Sequence, residues 1–100
     1  MLEYDIYLPS KTRLGTTLPQ AALDRIKARV TKVFGGYTHL SHPIEGVWKM
    51  GGVTFVEAVT VLRVIAPNES APKMAALKKF VHRILKQQET LIVERTIRLI

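Results

Sequence analysis

Residues 46–65 constrain the fold of this 100-residue chain more than any other stretch. The part from residue 53 onward is dense in β-branched side chains, which fit a pleated, half-buried surface. Gly51-Gly52, directly before it, is a two-residue loop of the kind that permits positive φ at both positions. We therefore expect residues 46–50 to fold back on this strand as an antiparallel hairpin.

The predicted hairpin brings two aromatic side chains together. In its register Trp48 lies opposite Phe55, and Met50 lies opposite Val53. An aromatic pair across two strands adds roughly 0.5–1 kcal/mol of local stability. The register further along the second strand stays open, because Glu57 interrupts the apolar alternation. Either a bulge shifts the register there, or the strand is central and apolar on both faces.

The rest of the chain supplies two helices and further strands. Apolar residues recur at helical spacing after Thr17 and again after the second candidate cap, which is Ser70 or Asn68. In each case a proline follows that a first turn tolerates. Residues 2–8 alternate between apolar and polar positions, which is typical of a half-buried strand. The predicted strands cover residues 2–8, 37–40, 46–50, 53–65 and 91–100, with loops at 10–16 and 41–45 and a turn at 87–89.

The element order is strand, helix, strand, strand, helix, strand. Two such split units form a ferredoxin-like α+β sandwich, in which an antiparallel sheet carries both helices on one face. A chain of this length makes one domain, so residues 1–100 are assigned to a single ferredoxin-like domain. The other face of the sheet must be solvated or covered by a second copy. We expect a homodimer with apolar residues of the last strand at its interface.

Composition excludes several classes of protein. The chain has no cysteine, which rules out a disulfide scaffold, a thiolate zinc site and a cysteine nucleophile. No apolar run approaches the ~20 residues that span a membrane, so no membrane association is expected. The N-terminal residues carry acids early and alternate in polarity, unlike a signal peptide. We therefore expect a cytoplasmic protein, and the sequence predicts no cofactor.

The charge balance favours an anionic partner. Lysine and arginine total 15 against 8 acidic residues, which gives a net charge of +7. Such an excess favours nucleic acid, phosphates or an acidic protein as the partner. Alternatively, the basic residues are simply solvated, as charged helix faces usually are. The basic positions on the outer arcs of the two predicted helices include Arg25, Arg29, Lys32, Lys78, Lys79 and Arg83.

Few residues suggest catalytic or metal chemistry. His39, His42 and Glu45 are loosely spaced in and around a predicted loop, so solvated side chains are favoured and no metal site is predicted. Glu57 lies inside an apolar strand, where a carboxylate can be a catalytic group with a raised pKa. We favour an ion pair with Arg63, Arg95 or Arg98, because no nucleophile or metal cluster accompanies Glu57.

Two short segments resemble the RNA recognition motif, a family with the same order of elements. Residues 6–8, Ile-Tyr-Leu, resemble its first-strand signature. Residues 52–56, Gly-Val-Thr-Phe-Val, resemble part of its third-strand octamer. The resemblance implies that Tyr7 and Phe55 are platforms on the sheet where unpaired bases stack.

A second resemblance spans roughly residues 34–94. It rests on Phe34-Gly35-Gly36-x-Thr38, then Gly46-x-Trp48, Glu57, and Gln88-Glu89 before the last strand. This order resembles a group of small, uncharacterised bacterial and phage proteins with the same split α+β layout. It implies a fold and a bacterial or phage source but no activity. It also makes the first glycine pair a helix cap and Trp48 a hairpin anchor.

Three functional hypotheses follow from these features. The leading one is a non-enzymatic binding or interaction module that acts through an anionic partner or through its own dimer. The second is binding of single-stranded RNA on the sheet through Tyr7 and Phe55. The third is a small dimeric enzyme, in which paired sandwiches enclose an apolar pocket with Glu57 as acid or base. The balance of residues favours a protein that is not an enzyme.

Overall fold

The computed structural model describes residues 1–11, 15–86 and 90–100. The four strands form one antiparallel sheet with the order β2-β3-β1-β4, and the prediction of a ferredoxin-like βαββαβ fold is confirmed. The turn predicted at residues 87–89, and with it Gln88-Glu89 of the second resemblance, lies outside the described residues. The elements are β1 (Leu2–Pro9), α1 (Gln20–Phe34), β2 (Thr38–Met50), β3 (Val53–Ala66), α2 (Ala71–Leu85) and β4 (Ile92–Thr96).

Strand alternation decides where the core lies. Even-numbered residues of β1 and β3 point toward the helices, and odd-numbered residues point to the opposite side of the sheet, here called the open face. The core under the helices contains Leu2, Tyr4, Ile6 and Leu8 of β1, Leu62, Val64 and Ala66 of β3, Ile26 and Val30 of α1, and Met74, Leu77, Phe80, Val81 and Leu85 of α2.

Within the described residues, neither helix is long and apolar enough to cross a membrane.

The start of α1 differs from the prediction, whereas α2 starts as predicted, with Ser70 in the N-cap position and Pro72 in the first turn. Helix α1 begins at Gln20 with Pro19 in the N-cap position, and Thr17 instead forms an isolated bridge with Lys11. Pro19 has extended backbone, with φ −59° and ψ 135°, so the chain turns into the helix only after it. Ser70 does precede α2, but neither helix has a side-chain cap hydrogen bond. At the other end of α1, Gly35 closes the helix with φ 91°, as expected for a left-handed cap.

The prediction of a loop at residues 41–45 is wrong. Strand β2 runs without interruption from Thr38 to Met50, with a register irregularity between Leu40 and Ile44. Pro43 lies in that irregularity, where its missing N–H does not break the ladder. β2 is an edge strand, and edge strands with bulges are where a sheet accommodates proline.

The last strand is shorter than predicted. β4 covers only Ile92–Thr96, because its partner β1 begins at Leu2, which pairs with Thr96. Beyond that pair a single backbone bond continues the ladder, from the Ile97 N–H to the Met1 carbonyl at 3.0 Å.

The β2–β3 hairpin extends past the rest of the sheet. Strand β1 ends its pairing where Pro9 meets Val59, and the Ser10 N–H adds one bond to the Ala58 carbonyl at 3.0 Å. Residues 46–57, here called the hairpin arm, therefore have no third strand beside them. The predicted register of the arm is confirmed: Trp48 pairs with Phe55 and Met50 with Val53. Gly51 and Gly52 form its turn, with φ 59° and 80°.

Candidate ligand-binding site

The end of the open face that is remote from the hairpin arm carries a network of ion pairs. Asp5 accepts bonds from Arg63, at 2.9 and 3.1 Å, and from Arg95 at 2.8 Å. Both arginines also lie 3.6 Å from Glu3. The bonds from Arg63, followed by those from Arg95, hold the pKa of Asp5 below its usual value despite burial. The carboxylate of Asp5 is therefore already satisfied within the fold.

The Glu57 carboxyl lies on the same open face, at the base of the hairpin arm. It is half-buried, and it has no hydrogen bond or ion pair within the described part of the chain. Burial raises its pKa. The predicted ion pair with Arg63, Arg95 or Arg98 is wrong, because no ion pair of the described residues includes Glu57. Six residues of strand, about 20 Å of rise, separate Glu57 from Arg63, and both Arg63 and Arg95 bind Asp5 instead.

A stacked aromatic pair stands next to Glu57. The rings of Trp48 and Phe55 have centroids 6.1 Å apart and planes at 19°. Glu57 pairs with Gly46, and a Cβ added at Gly46 would be 3.6 Å from Cζ3 of Trp48. The indole therefore leans over the position opposite Glu57 that has no side chain. A carboxyl group, a flat aromatic wall and a gap in the facing strand are thus brought together.

The hairpin arm exposes apolar side chains on both of its faces. An isolated two-stranded hairpin is only marginally stable in water, and apolar clusters of this kind mark interaction surfaces. Leu91, Leu99 and Ile100 are also exposed, but they belong to the C-terminal end of the chain. The exposed large apolar residues of the arm are Trp48, Met50, Val53 and Phe55 on the open face and Val47 and Val56 on the other face.

The two residues expected to stack RNA bases are far apart. Tyr7 is half-buried in β1, where it pairs with Val61 of β3. Phe55 lies six residues further along β3, about 20 Å away, and its ring already stacks on Trp48. The structure therefore does not bring the two rings into one platform. The RNA-binding hypothesis stays a prediction.

Three of the basic helix residues converge. Arg25, Arg29 and Arg83 surround the ring of Phe80, whereas Lys32, Lys78 and Lys79 are exposed without a comparable contact. The sequence analysis did not identify Phe80. Its position three residues after Leu77 on the buried stripe of α2 was the available signal.

The histidines are divided between two environments. His39 is half-buried, with Nε2 3.2 Å from Oγ1 of Thr60, and burial together with nearby Lys27 lowers its pKa. His42 is exposed on β2. Across residues 1–11, 15–86 and 90–100, no three acidic or histidine side chains are close enough to hold a metal ion.

Comparison with known proteins identifies the fold. No protein-family model matches the chain, and no curated protein matches it in sequence. A phage SAM lyase in complex with S-methyl-5'-thioadenosine is similar over 94% of this chain and 79% of its own, with 15% identity and a TM-score of 0.69. The divalent cation tolerance protein CutA1 from Thermus thermophilus matches 97% of this chain and 84% of its own, with 16% identity and a TM-score of 0.69.

A third solved structure, the PII-like protein CutA from Nostoc in apo form, has 15% identity and a TM-score of 0.60. It covers 97% of this chain and 81% of its own. At these identities the similarity shows the ferredoxin-like fold alone.

Proposed function

We propose that this chain is a self-associating, non-enzymatic binding module. Its copies pack through their hairpin arms and enclose a small-molecule site around Glu57. The observation that carries the proposal is the half-buried Glu57 carboxyl, which has no partner in the described chain. It stands beside a stacked aromatic pair on the open face of the arm, where the other side chains are apolar.

Self-association follows from the apolar surface of the arm. Val47, Val56, Met50 and Val53 are all about half exposed, on opposite faces of a two-stranded segment. Packing against the arm of a second copy would bury one of these faces and supply the support that an isolated two-stranded hairpin lacks. A dimer is the smallest assembly that achieves this.

The chemistry around Glu57 supports a cationic ligand that carries a flat ring. A carboxylate attracts an ammonium or sulfonium group, and a cation bound beside Glu57 would in turn favour the ionised form of its carboxyl. The face of Trp48 attracts a cation as well, and the stacked pair offers an edge for a planar heterocycle. S-adenosylmethionine, with a sulfonium, an ammonium and an adenine, combines these features.

Isothermal titration calorimetry with S-adenosylmethionine and S-methyl-5'-thioadenosine tests the site. Wild-type protein should bind S-adenosylmethionine more tightly than the neutral thioether, because only the former is a sulfonium. Glu57→Gln should weaken S-adenosylmethionine at least ~10-fold, equal to ~1.4 kcal/mol. Glu45→Gln is the matched control, because Glu45 is an exposed acid one position away on the partner strand. Absence of binding, or equal losses in both variants, would contradict the site.

Sedimentation velocity tests the interface separately. Val56→Lys puts a charge on the arm and should shift the protein to monomer. Leu99→Lys puts the same charge at the C-terminal end, where the sequence predicted the dimer contact, and should leave the assembly intact. A wild-type monomer, or dissociation only with Leu99→Lys, would refute association through the arm.

A lyase acting on S-adenosylmethionine is the second candidate function. The raised pKa of Glu57 favours it, since it makes the carboxylate a stronger base than an ordinary glutamate, and the phage SAM lyase shares the fold. Release of S-methyl-5'-thioadenosine breaks the bond between sulfur and the methionine Cγ, and the electron pair leaves with sulfur. The substrate carboxylate then closes on Cγ as a lactone, or Glu57 takes a proton from the adjacent carbon and leaves an alkene.

Chromatography of S-adenosylmethionine incubated with the protein separates the two functions. Formation of S-methyl-5'-thioadenosine above a protein-free control, lost in Glu57→Gln but kept in Glu45→Gln, would establish the lyase. Proton NMR of the co-product would then distinguish lactone from alkene. Binding without turnover supports the non-enzymatic module.

A further inference from the structure

The two helices carry the entire net charge of the chain. They hold eight lysines and arginines against a single acid, Asp24, whereas the rest of the chain holds seven residues of each sign. Asp24 is itself engaged, since its Oδ1 accepts a bond from Gln20 at 2.8 Å. The helix surface lies across the sheet from the open face and from Glu57. It is therefore a separate region from the proposed ligand site.

Three guanidinium groups of this surface converge on one aromatic ring. The guanidinium carbon of Arg29 is 4.1 Å from the centroid of the Phe80 ring, that of Arg83 is 5.9 Å from it and that of Arg25 is 6.0 Å from it. Phe80 is only 7% exposed, so the ring is largely covered. Cation–π attraction to the ring holds the arginines in place and offsets part of the repulsion among three like charges.

No acid neutralises this cluster within the described residues. The ion pairs of the described residues all involve Arg63 or Arg95, and both arginines lie on the open face of the sheet. Arg25, Arg29 and Arg83 are each exposed. These three guanidinium groups share one ring without a counter-ion in the described residues, so a bound anion would stabilise them.

We propose that this surface, the Phe80 arginine cluster of Arg25, Arg29 and Arg83, binds the phosphodiester backbone of nucleic acid without reading its sequence. Guanidinium forks match phosphate oxygens in a bidentate geometry that an ammonium does not provide. Lys32 continues the row along α1 seven residues after Arg25, about 10 Å along the helix axis, so the charges form a line rather than a point. Since the arginines cover the ring, Phe80 is not available to stack on bases.

The apolar surface of the molecule argues against a lipid membrane as the anion. Every exposed large apolar side chain of the described residues lies outside α1 and α2. A helix that binds in the membrane interface needs an apolar face to bury among the acyl chains. Binding to the phosphates of nucleic acid needs only the positive charges.

Fluorescence anisotropy with fluorescein-labelled, mixed-sequence DNA tests the proposal, using a 20-nucleotide single strand and its duplex. Wild-type protein should bind both, with affinity falling steeply between ~50 and ~200 mM NaCl. Arg29→Gln/Arg83→Gln should weaken duplex binding by about 50-fold at ~100 mM salt and lower the salt slope by about 2, as expected for two lost phosphate contacts. Lys11→Gln/Arg98→Gln removes the same charge from exposed positions outside the helices and should change affinity far less.

Further variants exclude other causes of a loss of DNA affinity. Arg29→Lys/Arg83→Lys keeps the charge, so it should retain the salt slope while losing part of the affinity. Tyr7→Ala should leave binding intact. The proposal fails if wild-type protein does not bind DNA at ~50 mM salt, if both glutamine pairs lose affinity equally, or if Tyr7→Ala abolishes binding. It also fails if the protein prefers anionic phospholipid vesicles, or if millimolar inorganic phosphate at constant ionic strength displaces the DNA.

Discussion

Asp5 and Glu57 are carboxylates on the same face of the same sheet, in opposite surroundings. The side chain of Asp5 is 4% exposed and accepts three bonds from Arg63 and Arg95. Glu57 is half-buried and has no hydrogen-bonding or ion-pairing group within the described chain. The arginines lower the pKa of Asp5, whereas burial raises that of Glu57.

The difference separates a carboxylate that is paired within the fold from one that has no partner in the described chain. A buried charge that is paired in the monomer is held by its partners, and removing one partner exposes the cost of burying the other. A desolvated and unpaired carboxyl lowers stability on its own account, and such groups gather at functional sites. The body of the sheet thus pairs its buried carboxylate Asp5 within one chain, whereas the hairpin arm leaves Glu57 unpaired in the described residues.

The largest expected effect comes from removing the paired carboxylate of Asp5. Asp5→Ala leaves Arg63 and Arg95 side by side without their central counter-charge. We expect a loss of about 2–3 kcal/mol in the free energy of unfolding, below the full value for a buried pair because both arginines are partly exposed. Urea denaturation followed by circular dichroism at fixed protein concentration measures it.

The pH dependence and Glu3 provide the checks on this prediction. The folded-state pKa of Asp5 lies below its ordinary value of 3.8, so its stabilisation is present above that value and is lost as pH falls through the folded pKa. Asp5→Ala should therefore flatten the acid limb of the stability curve. Glu3→Gln, which removes contacts of 3.6 Å, should cost less than about 1 kcal/mol. An equal loss from Glu3→Gln would place the stabilisation elsewhere.

The sequence predicted pairing between neighbouring segments better than contacts between residues far apart in the chain. Alternation in residues 2–8 and the Gly51-Gly52 turn were local signals, and the strand pairing followed from them. The partner of Arg63 was not local, because Asp5 is 58 residues away and only the sheet order makes them neighbours. Phe80 was missed for a related reason, since Arg25 and Arg29 reach its ring only when α1 packs beside α2.

A smaller effect concerns a third carboxylate, which is partnered on the helix side of the sheet. The Tyr4 hydroxyl donates to Oε1 of Glu94 at 2.6 Å, and burial together with this bond raises the pKa of Tyr4 to about 12. Tyr4→Phe should cost about 1 kcal/mol. Because the unfolded tyrosine ionises near pH 10.0, wild-type protein should lose this advantage between pH 10 and 12. Identical stability curves for both proteins in that range would contradict it.

A comparable loss is expected at the tip of the hairpin arm. Gly52 has φ 80°, which a residue with a Cβ rarely adopts, so Gly52→Ala should cost about 1 kcal/mol. Gly36→Ala is the matched control, because Gly36 has no positive φ and an added Cβ would meet nothing within 4 Å. If denaturant midpoints fall equally in both variants, the strain at the turn is not what limits the arm.

The smallest expected effect is at Glu57, and its sign distinguishes the two carboxylates. The pKa of Glu57 in the fold lies above its ordinary value of 4.5, so the ionised group opposes folding, and stability is lost as pH rises from about 4.5 through the folded pKa. Glu57→Gln removes that penalty. It should raise the free energy of unfolding at pH 7 by less than about 1 kcal/mol and leave it unchanged near pH 4, where the wild-type carboxyl is protonated. The two curves should therefore diverge as pH rises, the reverse of the pattern for Asp5. A loss of stability at pH 7 in Glu57→Gln would mean that the carboxylate has a partner in the assembled protein, which would make the arm as complete as the body.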